Sequence, residues 1–238
     1  MRVLDGLLQK LREVCEGFSD RRSTSKNVVY SMADIGMAAF AMFFMQCESF
    51  LDFQRKVEER ERRSNLHTLF GVKAIPTDPH IRLMLDEVEP ESLQASFDDV
   101  VGTLDSGGGL DAFRCLDGRI LVALDGTEYF CSKKIDCVHC LKRKRRDGSV
   151  EFYHSMLAAT IVAPGRSQCV HLMPEFIETF DGADKQDCER NAVKRWLASE
   201  KTTSIARLRP VFLGDALFAC QSIAEAVAAT HDRDRSGV

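Results

Sequence analysis

The chain has 238 residues, 45% of them apolar and 29% charged, with a net charge of −4. Such proportions belong to a globular protein with room for one large domain or two small ones. They exclude a generally basic, histone-like binder, so any contact with nucleic acid must come from local basic clusters.

Residues 1 to about 105 read as an all-helical region, suited to DNA binding or dimerisation. Leu4, Leu7, Leu8, Leu11 and Val14 recur on one helical face. Residues 19–25 are a polar break. Residues 32–45 are apolar on nearly every side, the pattern of a central core helix, and too short to cross a bilayer. Residues 49–63 predict another helix whose later half is almost all charge. Its mixed signs suit a solvated face. Pro79 can open the next helix, and a further one runs from about 89 to 104. Ser106-Gly107-Gly108-Gly109 reads as a linker.

Beyond it, residues 112–230 alternate strand and helix. Short apolar runs at 119–124, 156–163 and 169–173 predict three strands joined by short turns, hence an antiparallel meander. Residues 185–199 show helical spacing through Cys188, Ala192, Val193, Trp196 and Leu197. A strand over 210–214 follows, returning by a crossover to lie parallel to the first, and then a helix over 219–229. The fold class is α/β or α+β: a mixed sheet with helices. Residues 231–238 are polar, lack a core pattern, and read as a disordered tail. No secretory leader opens the chain. Its nine cysteines, an odd number, read as reduced thiols in a cytoplasmic protein.

Two aspartates stand out. Asp125 follows the run Ile120-Leu121-Val122-Ala123-Leu124, and Asp215 follows Val211-Phe212-Leu213-Gly214. Each apolar run reads as a buried strand that delivers a carboxylate to the rim of a sheet. An isolated buried charge is costly, so each acid needs a cation, a donor or water. The plainer reading of either alone is a turn former. Two on neighbouring strands can hold a divalent metal against a phosphate.

Two further features are chemical. Cys137-Val138-His139-Cys140 is a candidate zinc hook, with Cys131, His139, His154 and Cys188 as further ligands to draw on. A reduced thiol pair in a loop is the alternative. Lys142, Arg143, Lys144, Arg145 and Arg146 form an unbroken basic run closed by Asp147-Gly148. It reads either as a solvated hairpin tip or as a contact to DNA phosphates, which position a duplex without reading its sequence.

Taken in order, Leu124-Asp125-Gly126-Thr127-Glu128-Tyr129-Phe130, Pro174-Glu175-Phe176-Ile177, Lys185-Gln186-Asp187-Cys188-Glu189 and Leu213-Gly214-Asp215 resemble bacterial insertion-sequence transposases of the DDE class. Asn65-Leu66, Phe70-Gly71 and Ile75-Pro76 fit the same resemblance. It implies an RNase H-like catalytic domain that uses Mg2+ or Mn2+ to cleave and join double-stranded DNA at transposon ends. It further implies a homo-oligomer assembled on nucleoid DNA in the cytoplasm, with no membrane partner. Asp125 and Asp215 match the first two acids of that family. The third, a Glu on a later helix, has no good match: Glu225 comes too soon after Asp215. The resemblance therefore predicts a C-terminally truncated, weakly active or inactive transposase. A non-catalytic DNA-binding relic and a zinc-stabilised interaction module are the alternatives.

Overall fold

Backbone packing divides the chain into two compact units, Met1–Val100 and Val101–Val238. The computed structural model describes residues 3–22, 28–58, 65–179 and 187–236.

The first unit holds α1 (Val3–Glu16), α2 (Met32–Phe44), α3 (Phe50–Glu58), α4 (Asn65–Thr68) and α5 (Asp78–Leu85), with the start of α6 (Gln94–Ser106). Helix α2 is its centre: Ile35, Ala38 and Ala41 are fully buried, although Phe43 and Phe44 at its end are exposed. Ser31 caps α2 by accepting the Asp34 N–H at 3.0 Å. Gly36 is where α1 crosses closely, since a Cβ there would lie 2.5 Å from Cys15 Sγ. Burial pushes the Cys15 thiol up to about 12. Helix α3 is described to Glu58, so the last five residues of the expected helix over 49–63 lie outside the described residues.

The glycines expected to form a linker instead end α6. Gly108 takes φ +72°, and the Gly109 N–H bonds Leu104 O at 2.7 Å. Leu110 beyond them is fully buried. The run supplies the left-handed backbone that closes a helix, a use of glycine that composition cannot tell from a flexible tether.

The second unit is an α+β arrangement on an open, seven-stranded sheet. In chain order come β1 (Arg114–Cys115), β2 (Arg119–Ser132), β3 (Leu141–Lys144), β4 (Val150–Val162), β5 (Val170–His171) and β6 (Glu175–Ile177). Then follow α7 (Glu189–Ala198), the short α8 (Thr203–Ala206), β7 (Val211–Leu213) and α9 (Gln221–Ser236). Long β2 and β4 form an antiparallel spine from Leu121↔Val162 to Ser132↔Phe152, with a bulge between Glu128 and Phe130. Strands β3, β6 and β5 line the free edge of β4 in succession. On the free edge of β2, β7 pairs parallel through Leu121↔Val211, Val122↔Phe212 and Ala123↔Leu213. The crossover expected for the strand after the helix is therefore present.

Helix α7 packs on one face of this sheet. Trp196 is fully buried; its indole N–H donates to Met173 O at 2.8 Å, and its ring meets Phe212 edge-on. Several boundaries differ from expectation. Strand β4 begins at Val150, where β3 pairs with its start, and not at 156. Strand β2 runs eight residues past Leu124 because a polar, β-competent stretch (Thr127, Tyr129, Phe130) pairs with β4. The run 169–173 shrinks to two residues ahead of Pro174, which cannot donate to a ladder. Helix α9 continues through residues 231–236, the segment expected to be a tail. Each added residue there extends an existing helix, and no Pro or Gly intervenes before Gly237.

Candidate functional site

Asp125 does not end its strand; it sits within β2, opposite Ala158 of β4. The rim is made by the neighbour instead, because β7 stops at Leu213. The last parallel pair is Ala123↔Leu213. Two residues further along each chain stand Asp125 and Asp215, and the period-two pleat places them on one face. The backbone at Asp215 is still extended (φ −76°, ψ −176°), and Asp215 Oδ1 accepts the Leu217 N–H at 2.8 Å to cap a turn. Its turn-forming and site-forming readings hold together.

A third acid, absent from the expected set, lies within electrostatic reach of both aspartates. Glu189 opens α7, and its carboxylate rests against Gly126, where any added Cβ would overlap it. Burial first, then the charges of Asp125 and Asp215, raise the Glu189 carboxyl above its ordinary value. None of these three acids is in an ion pair among the described residues. The signals for Glu189 in the sequence were slight: an acid at the start of an amphipathic helix, and a Gly immediately after Asp125. Glu225 lies elsewhere; exposed on α9, it accepts from Gln221 Nε2 one turn earlier.

Two acids that precede Glu189 in the chain behave otherwise. Arg195 binds Glu175 at 2.8 Å and Asp187 at 2.7 Å, and Lys201 binds the second oxygen of Glu175 at 2.7 Å. A cleft of about 530 Å³ opens beside the α7 start, lined in part by Tyr153, Glu189, Asn191, Lys194, Leu217 and Ser222.

The basic run falls mainly on β3 and is not a uniform patch. Arg143 binds Glu128 at 2.5 Å and Glu151 at 2.9 Å, and Arg145 binds Glu151 at 2.7 Å. Those two guanidinium groups hold the Glu151 carboxyl down at about 2. Arg143 also lies 4.7 Å over the Tyr153 ring. Strand alternation turns Lys142 and Lys144 to the other face, where Lys142 lies 5.5 Å over Phe152. Lys142, Lys144, Arg145 and Arg146 are exposed.

Cys137, Cys140 and His154 bring their ligand atoms together: Sγ to Sγ is 3.6 Å, and His154 Nε2 is 3.3 and 3.4 Å from the two sulfurs. The group could hold a metal ion. Of the other expected ligands, Cys131 turns to Glu151 and Arg143, and Cys188 sits at the start of α7.

No protein family, no curated protein and no solved structure matches this chain. Among the described residues no helix is long and apolar enough to cross a membrane.

Proposed function

We propose that this chain carries the metal-binding core of a DDE-class transposase, an RNase H-like domain that acts on DNA phosphodiesters at insertion-sequence ends. One observation carries the reading: Asp125 and Asp215 stand two residues beyond the last parallel pair, and Glu189, against Gly126, lies within reach of both their charges.

The donor set suits magnesium or manganese. Both take oxygen ligands, and magnesium is commonly held by one or two carboxylates plus substrate phosphate. Asp125, Asp215 and Glu189 would hold it. When bound, it would supply Lewis acidity and lower the pKa of an attacking hydroxyl. The protein's own part is positional. Asp125 is fixed by its pairing with Ala158 of β4, and the Leu217 N–H aims Asp215. The start of α7 delivers Glu189. Thiolate and imidazole donors at Cys137, Cys140 and His154 suit zinc and would not serve this role.

The DNA-facing surface in this reading is β3 and its tip, reduced from five cations by the pairing of Arg143 and Arg145 with Glu128 and Glu151. The test is a nicking assay on supercoiled DNA with the purified chain, with and without magnesium. Slow, magnesium-dependent nicking that is lost in Asp125→Asn supports the reading. Nicking unchanged in that variant, or no magnesium binding by calorimetry, overturns it.

A further inference from the structure

We propose that Cys137, Cys140 and His154, joined by His139, form a structural zinc site that fastens the β2–β3 connection to β4 and so sets where the basic strand β3 begins. The proposal stands apart from the carboxylate centre and does not depend on the transposase reading.

The distances are those expected between ligands of one metal ion. Zinc bonds thiolate sulfur at about 2.3 Å and imidazole nitrogen at about 2.0–2.1 Å, so a tetrahedron has edges of about 3.8 Å between sulfurs and about 3.6 Å from sulfur to nitrogen. The observed edges are 3.6, 3.3 and 3.4 Å. One triangular face of that tetrahedron is thus built, slightly contracted. Both cysteines are free thiols, and the sulfurs are far beyond the roughly 2.05 Å of a disulfide.

The surroundings support ligation. The four-residue turn closes through the Cys140 N–H to Cys137 O at 3.2 Å. The Cys137 N–H points at Cys140 Sγ at 3.3 Å, the kind of donor that steadies a thiolate. The Tyr129 ring stacks on His154 with centroids 5.7 Å apart, and Phe130 flanks it at 5.6 Å, so the imidazole is held in place. His139 belongs to the same turn and is exposed; it supplies the fourth ligand by a side-chain rotation.

The connection has reason to need a staple. Its apolar side chains Ile135 and Val138 are largely exposed, at 67% and 84%, so little hydrophobic burial orders it. Yet Cys140 and Leu141, at the entry to β3, are buried. Four ligands drawn from the turn and from β4 would fix that entry.

The experiment is metal analysis of the purified full chain, followed by cobalt substitution. The expected result is about one zinc per chain and, with cobalt, a sulfur-to-metal charge-transfer band. Cys137→Ser, at an exposed position, should lose both; Cys169→Ser, beside His171 on β5, should keep both. His139→Ala should weaken zinc binding at least about tenfold. Chelation should speed tryptic cleavage at Lys133, Lys134 and Lys142 at least about tenfold, with circular dichroism otherwise retained. Sub-stoichiometric zinc without the cobalt band, or equal loss in the Cys137 and Cys169 variants, overturns the site. An unaltered affinity in His139→Ala overturns the assignment of the fourth ligand. Because none of these readings involves magnesium or DNA, failure here leaves the carboxylate centre standing, and the converse also holds.

Discussion

The helical unit matches its buried acid with a cation, whereas the sheet unit holds both matched and unmatched acids. In the first, Asp34 is only 3% exposed and is answered from two sides: Arg12 at 3.2 Å and the Lys73 N–H at 3.2 Å. In the second, Glu175 and Asp187 are answered in the same way by Arg195 and Lys201. Glu189, near Asp187 in sequence, faces two other acids instead. Buried charge is stable only when matched. Glu189 is half-buried and both aspartates are exposed, so water screens part of their repulsion; a divalent cation is the simplest partner that removes the rest.

The largest expected effect tests the matched half of this contrast. Asp34→Ala leaves the Lys73 N–H without its acceptor and Arg12 with its contacts to Gly71 O and Glu16, and breaking such a buried pair costs about 3 kcal/mol or more. Urea denaturation should show the loss in the helical unit. A loss below about 1 kcal/mol would mean that water already shares the pair.

Next in size is Gly126→Ala. The added methyl group must displace the Glu189 carboxylate, and overpacking of this kind costs about 1–3 kcal/mol. Magnesium affinity should fall with it. If affinity is unchanged while stability drops, Glu189 is a packing element and the metal belongs to the two aspartates alone.

Glu189→Gln separates charge from shape. Its carboxyl is raised in the folded chain, so its ionisation opposes folding. That contribution is fully favourable below the ordinary carboxylate range and is lost as pH rises through the elevated folded value. At pH 7.5 without metal the variant should melt higher than the parent; at pH 4 the two should converge. Magnesium should raise the melting temperature of the parent at pH 7.5, and less so in the variant. A parent insensitive to magnesium across this range would break the contrast between matched and unmatched acids.

How much of this was readable beforehand follows from which interactions are local. The parallel return of β7 to β2, the core role of Trp196 and the opening of α5 at Pro79 rest on short-range pattern and chain-connection rules, and they hold. The extent of β2 does not rest on its own apolar run; it is set by β4, a partner about thirty residues away, which pairs its polar half. For the same reason Asp125 reads as a strand end in sequence and lies mid-strand in space. Glu189 was not legible as a site residue because its significance comes from the missing side chain of Gly126 and from two charges on other elements. His154 joins the thiols because β4 carries it opposite Phe130 across the bulge. The basic run looked uniform because sequence lists cations without their strand faces.

That last point yields the smallest effect and a discriminating one. If β3 contacts DNA, Lys144 and Arg145 should differ although they are adjacent. Removing Lys144 deletes a cation with no acid bound to it in the described contacts, so the slope of log affinity against log salt should shrink by about 1. Removing Arg145 also releases Glu151 from one of its two guanidinium partners, and Arg143 remains on that carboxylate at 2.9 Å. Since Arg145 already spends its charge on Glu151, the slope should change by distinctly less than 1 in Arg145→Ala. Equal slopes for the two variants would mean that the Glu151 pairs open when DNA binds; no change in either would place the DNA contact elsewhere than β3.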